Sequence, residues 1–165
     1  MVLIQNVVPS RVEIPRYHEF KDRIDRLVGD INGRFSTDTW LPVHYRFRSL
    51  DRDDLLAHYR ACEIALVTPL KDGMNLVAKE YCACCVDKNG VLILSQFAGA
   101  AEQLKRGALL VNPYDVEQVA DTILKAFRMS RAERSARMKR MRRAVSNENV
   151  FRWVDSFLTA GSRLR

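Results

Sequence analysis

Residues 67–81 read VTPLKDGMNLVAKEY, and they set Lys71, Asp72, Gly73 and Asn75 between two apolar runs, with Lys79 and Glu80 shortly after. Pro69 removes a backbone donor and fixes φ, which ends a strand. Gly73 is able to take φ > 0 and to let a ligand approach the backbone closely. A helix starting near Asn75 leaves the amides of Asn75, Leu76 and Val77 without intrahelical partners. Those amides and the positive end of the helix dipole together suit a phosphate or diphosphate. Lys71 adds a cation and Asp72 an acceptor for hydroxyls. Glu80 stands too far into the helix to cap it, and its carboxylate suits a vicinal diol, as an acidic residue does on the ribose in dinucleotide folds. A sugar nucleotide carries hydroxyls, a diphosphate and a ribose diol in that order. The same spacing also serves an ordinary strand–turn–helix junction, where Asp-Gly is a common turn, so spacing alone leaves both readings open.

The elements that would position these groups follow from hydrophobic pattern. Short Val/Ile/Leu-rich runs at 2–8, 43–48, 63–68, 91–95 and 108–112 predict strands, covered on both faces. Helical patterns lie between them at 13–33, 51–61, 75–87, 98–105 and 115–128, with Asp115 as an N-cap. Beyond residue 130 only helical pattern remains, 131–145 and 148–160, with Asn147 near the break. This alternation predicts an α/β fold with a Rossmann-like, doubly wound, mostly parallel sheet of about five strands. It also predicts a division into a binding domain over 1–130 and a helical tail over 131–165. The run at 43–48 alternates polar and apolar, suiting an edge, whereas 63–68 is nearly all apolar and suits the sheet's centre. Ligands of open α/β sheets bind at the carboxyl ends of strands, which is where 69–73 leaves that strand.

At 165 residues, 47% apolar and 28% charged, the chain has the size and composition of one globular domain. No apolar run reaches a membrane span and the start lacks a signal-peptide pattern, so a cytoplasmic location and no membrane partner are expected. Cys62, Cys82, Cys84 and Cys85 lack the paired spacing of a zinc site and read as small buried thiols, Cys82 and Cys85 sharing a helix face. His18, His44 and His58 are scattered and receive no role. The net charge of +7 is local: residues 128–143 hold eight basic residues and one acid, leaving 19 of each sign elsewhere. Met138, Met141 and Val145 recur at helical spacing as a stripe to bury, which makes the arginines a solvated or partner-facing surface. No aromatic residues interleave as stacking platforms, so nucleic acid is not an expected partner. Trp153 and Phe157, one turn apart, are expected to pack on the chain's own core.

The run 66–81 closely resembles the signature of trehalose-6-phosphate synthases and their relatives, retaining glycosyltransferases with the two-Rossmann GT-B architecture. VPSR at 8–11, GDINGRF at 29–35, DRDDLLAHYRAC at 51–62, AGAAEQL at 98–104, LVNPYD at 110–115 and RWVDSFL at 152–158 resemble family segments in the family's order. The resemblance implies the nucleotide-sugar-binding C-terminal domain of that architecture. It implies that Asp72 and the amides of Gly73, Met74 and Asn75 hold the donor glucose, with Asp72 at the reacting centre. Leu76 and Val77 would meet the diphosphate through their amides, Glu80 the ribose, Leu55 the uracil, and Arg11 the phosphate of the acceptor sugar. The implied reaction is transfer of glucose from UDP-glucose to glucose 6-phosphate with retention, by front-face attack, with no metal and no cofactor beyond the donor. Anion-binding amides would be the main catalytic device.

The family's enzymes also carry an N-terminal Rossmann domain and an Arg–Lys clamp on the diphosphate, neither of which has a counterpart here. The isolated chain is therefore expected to be an inactive or weak binder of a sugar nucleotide, partnered by such a domain or by copies of itself. Glucosylglycerol-phosphate synthesis, and a non-enzymatic Rossmann module acting in oligomerisation or regulation, stand as alternatives.

Overall fold

The computed structural model describes residues 1–9 and 13–162. Its contacts sort into two compact units, Met1–Asp54 and Leu55–Arg165. In the first, β1 (Leu3–Val7) pairs in parallel with β2 (Val43–Phe47), in register from Leu3 opposite Val43 to Val7 opposite Phe47. The crossover between them is α1 (Pro15–Phe35). Pro15 occupies its first turn, where a missing amide costs nothing. Near the other end, the Asn32 amide nitrogen donates to the Val43 carbonyl at 2.9 Å, while its oxygen accepts from the Val43 amide at 3.0 Å. This two-way bond pins the end of the helix to the first residue of β2. The helix α2 (Arg52–Ala61) runs across the boundary between the units. Asp51 caps it by accepting from the Asp54 amide at 2.8 Å.

The second unit holds β3 (Ile64–Val67), α3 (Leu76–Cys84), β4 (Val91–Ser95), α4 (Ala100–Leu104), β5 (Leu109–Val111), α5 (Val116–Arg128), α6 (Arg131–Asn147) and α7 (Val150–Ser162). Its three strands are parallel in the order β3-β4-β5. All five expected strands are present and pair only in parallel with one another, as two ladders. The middle of the larger ladder is β4, buried at every position, and β3 stands at its end, not at the centre as its apolar run suggested. Both runs are apolar, and hydrophobicity alone does not say which of two such strands is paired on both sides.

Alternation along β4 sorts the core into two faces. Leu92 and Leu94 pack with Tyr81 and Cys82 of α3, Leu104 of α4, and Met138 and Met141 of α6. Val91 and Ile93 pack on the other side with Val111, Ala126 and Met129, joined by Val119 and Ile123 of α5. The sheet is thus covered on both faces, which is the doubly wound arrangement. Asp115 caps α5 by accepting from the Gln118 amide at 2.9 Å, and Ser130 caps α6 in the same way toward Glu133. Cys82 and Cys85 are buried on one face of α3, and burial pushes the Cys82 thiol up to about 12. No helix among the described residues is long and apolar enough to cross a membrane.

The expected stripe on α6 is buried, with Met138 and Met141 at the core. Its arginines are not a uniformly solvated face, however. Arg134 is only 6% exposed and donates to the carbonyls of Ala126, Phe127 and Met129, with an ion pair to Glu63 at 2.9 Å. Arg142 donates to the Cys82 and Ala83 carbonyls at the end of α3, and Arg137 reaches Glu133 and the Gly107 carbonyl. A guanidinium carries five donors in a rigid fork, so helix ends rich in unpaired carbonyls draw it inward. Trp153 and Phe157 also depart from expectation. Each is 65% exposed, and they stack on each other at 5.6 Å instead of on the core.

Candidate functional site

The loop after β3 and the loop after β4 leave neighbouring parallel strands at their carboxyl ends, and they are stitched together there. The Asp72 amide donates to the Phe97 carbonyl at 3.4 Å, and the Gly99 amide donates to the Asp72 carbonyl at 2.8 Å. This approach requires a glycine at 99. A Cβ there would stand 2.1 Å from the Gly73 oxygen and 2.6 Å from its carbonyl carbon. A Cβ on Gly73 itself would meet no atom within 4 Å.

Asp72 organises the loop from within. One carboxylate oxygen accepts from the amides of Met74 and Asn75, both at 3.0 Å, and the other from the Asn75 side chain at 2.9 Å. The Met74 amide, then the Asn75 side chain, hold this carboxyl below the usual carboxylate range, with slight opposition from desolvation. Asn75 in turn caps α3, its side-chain oxygen accepting from the Ala78 amide at 2.9 Å. The left-handed residue of the loop is Asn75, with φ 66° and ψ 82°, and no described glycine has a positive φ. The expected role of Gly73 as the φ > 0 residue is therefore corrected. Asn tolerates that region because its short side chain bonds locally, and here it makes two such bonds. The amides of Met74 and Asn75 are occupied by Asp72. That leaves the Gly73 amide and the first-turn amides of Leu76 and Val77 without an acceptor among the described residues, the latter two aligned with the positive end of the α3 dipole.

Because the Asp72 pKa is depressed in the folded state, its stabilisation is present above about pH 4 and is lost as pH falls through the folded value. Asp72→Ala is expected to lower stability by about 1–2 kcal/mol near neutrality. The gap from wild type should close on acidification below about pH 4. Paired urea melts at several pH values measure it, and a gap that stays constant down to about pH 2 would remove the carboxylate from this role.

Glu80 lies on the α2 side of α3. The Tyr59 phenol donates to its carboxylate at 3.0 Å. Burial, then the bond to Glu80, hold the Tyr59 proton well above the ordinary tyrosine range, so the phenol remains a donor. Leu55 precedes Tyr59 by one turn on the same face of α2 and is half-buried. The structure thus brings Asp72, Gly73, Met74, Asn75, Leu76 and Val77 into one loop and helix start, with Glu80 further along α3 on the side of α2 that carries Leu55. Arg11 lies outside the described residues. Sequence reasoning missed Tyr59 and Gly99. The tyrosine lies four residues after Leu55 in an amphipathic helix, and the glycine stands at a second strand–helix joint, so both carried a signal. Among the described residues, no group of three or more His, Cys, Asp or Glu is placed to hold a metal ion.

The sequence model of glycosyltransferase family 20 matches residues 1–162. The trehalose-6-phosphate synthase of Mycobacterium leprae is 48% identical over 159 residues, covering 96% of this chain and 32% of the relative. The structure of a trehalose-6-phosphate synthase from E. coli bound with UDP-2-fluoro glucose superposes with a TM-score of 0.92 at 39% identity, covering 96% of this chain and 35% of that one. A UDP-forming alpha,alpha-trehalose-phosphate synthase from Burkholderia xenovorans in complex with glucose-6-phosphate gives a TM-score of 0.91 at 39% identity, with the same coverage. The chain spans about a third of the length of each of these relatives.

Proposed function

The chain belongs to glycosyltransferase family 20, and from that premise we propose that it forms the UDP-glucose-binding part of a retaining glucosyltransferase whose acceptor is glucose 6-phosphate. The observation that carries this is the order of groups along one loop and helix: Asp72, then the amides of Leu76 and Val77, then Glu80. That order suits the sugar, diphosphate and ribose of a sugar nucleotide. Asp72 is fixed by its own loop and presents a charged acceptor to sugar hydroxyls. Gly73 leaves room beside it for a ring. The α3 amides and dipole stabilise negative charge as it builds on the leaving diphosphate, an effect that is strongest when the donors are already oriented. Tyr59 holds one oxygen of Glu80, which leaves the other to accept from a ribose hydroxyl. The solved relatives' ligands, a UDP-sugar and glucose-6-phosphate, support this pair of substrates. Four free cysteines, two of them buried, fit a reducing cytoplasm.

Calorimetric titration of the 165-residue chain with UDP tests the reading. Glu80→Gln is expected to weaken UDP about tenfold, the worth of one hydrogen bond to a charged group. Tyr59→Phe should weaken it about threefold and add nothing in the Glu80→Gln background, because it acts through Glu80. A UDP analogue lacking the ribose diol should bind wild type and Glu80→Gln alike. Absence of UDP binding at millimolar concentration would sink the proposal.

A further inference from the structure

A concave surface in the same unit borders the proposed donor loop at Gly99 but includes neither Asp72 nor Glu80. It is a cleft of about 890 Å³ lying between α4, α6 and the start of α7, floored by Leu104 and Met141. Its size is that of a small-molecule site. Its walls are strongly basic: Lys79, Arg106, Arg140, Arg143 and Arg152 line it, and none of the five has an ion-pair partner among the described residues. The remaining charges are Lys105 paired to Glu102, and Glu148, so basic side chains outnumber acidic ones by six to two. Gln103 donates to the Ala144 carbonyl and keeps its side-chain oxygen for other use. The net charge of the whole chain is thus not spread over α6. Three of the helix's arginines serve carbonyls of the fold, whereas Arg140 and Arg143 turn into this cleft together with cations from three other elements.

We propose that this cleft binds a compact polyphosphate anion. Arg140 and Arg143, one helical turn apart, and the cations facing them from the other elements repel one another, and an anion held among them relieves that repulsion. Guanidinium groups match phosphate oxygens two at a time. A nucleic-acid strand fits less well, because no aromatic residue lines the cleft to stack a base.

The test uses the 165-residue chain and inorganic tripolyphosphate, titrated calorimetrically at fixed ionic strength. Tripolyphosphate is expected to bind below millimolar, and the double variant Arg140→Gln, Arg143→Gln to weaken it at least about tenfold while leaving UDP affinity unchanged. Both side chains are exposed, so the fold should survive, as circular dichroism would verify. A control double variant, Arg131→Gln, Lys139→Gln, removes the same charge from the same helix outside the cleft and should change binding less than about twofold. Glu80→Gln should leave tripolyphosphate untouched, separating failure here from failure of the donor site. The proposal is overturned by equal loss in the two double variants, by no loss in the cleft variant, or by no binding at all. Single-stranded DNA binding more tightly than tripolyphosphate through Arg140 and Arg143 would overturn it too.

Discussion

Arg134→Ala is expected to lower the unfolding free energy by about 3 kcal/mol, among the largest single-residue effects in the chain. The α5 helix ends at Arg128, and its last carbonyls have no intrahelical partners. Arg134, one turn into α6, reaches back and donates to three of the carbonyls around that end, those of Ala126, Phe127 and Met129, at 3.1–3.2 Å. Ala126 and Met129 are buried and water does not replace the lost donors there. Each such carbonyl costs about 1–3 kcal/mol when stranded, and the Ala126 oxygen retains a bond from the Met129 amide. The ion pair to Glu63 contributes little, because the Glu63 side chain is 68% exposed and water screens it. Glu63→Gln should accordingly cost under about 0.5 kcal/mol, and Arg134→Lys an intermediate amount, since an ammonium keeps the charge but cannot span the same carbonyls. Urea denaturation of the three variants decides between caps and charge. If Glu63→Gln matches Arg134→Ala, the ion pair, not the capping, is what Arg134 contributes to stability.

Gly99→Ala is expected to destabilise the chain by about 2 kcal/mol and to weaken UDP at least about tenfold. Backbone preference plays no part, since Gly99 has φ −58° and ψ −28°, open to any residue. The cost is steric, and the atoms struck are backbone atoms of Gly73, which cannot rotate away as a side chain would. To admit the methyl, the loops after β3 and β4 must separate, breaking the bond from the Gly99 amide to Asp72 and moving the carboxylate it positions. Gly73→Ala makes the informative contrast. Its φ is not positive and its Cβ would touch nothing, so the fold should lose under about 0.5 kcal/mol. UDP and UDP-glucose titrations then separate the two positions: Gly73→Ala should affect the sugar nucleotide alone, through space beside Asp72, whereas Gly99→Ala should affect stability and both ligands. Equal stability for Gly99→Ala and wild type would show that the loops are not locked.

Much of this was legible in the residues, because the signals involved are local. Each of the five strands lies within its expected run, and Asp115 caps α5 where its spacing said it would. Met138 and Met141 are buried because a period near 3.6 places them on one face whatever that face meets. The loop at 67–81 reads from Pro, Gly and the helix start as an anion site or an ordinary strand–turn–helix junction, and the resemblance to the family favours the first. Within that loop the expectation failed where two groups compete for one partner. Any Asx–Gly turn offers its amides, but whether a neighbouring carboxylate takes them depends on the turn's conformation, and here Asp72 does so and transfers the left-handed residue to Asn75.

What the sequence by itself determined is the set of elements, their parallel α/β order and the family, since strand and helix signals rest on neighbours within one or two turns of chain and the family on motifs legible without the fold. The tertiary structure alone decided which strand lies at the centre of its ladder, that Gly99 and not Gly73 is the glycine held by close approach, that Tyr59 holds Glu80, and how the arginines of α6 divide between buried caps and a basic cleft. Most of those outcomes join residues far apart in the chain, by 21 positions for Tyr59 and Glu80 and 71 for Glu63 and Arg134, although Arg134 caps carbonyls five to eight residues before it. Hydrophobic period and charge say only that such a group must find a partner, and packing chooses which one.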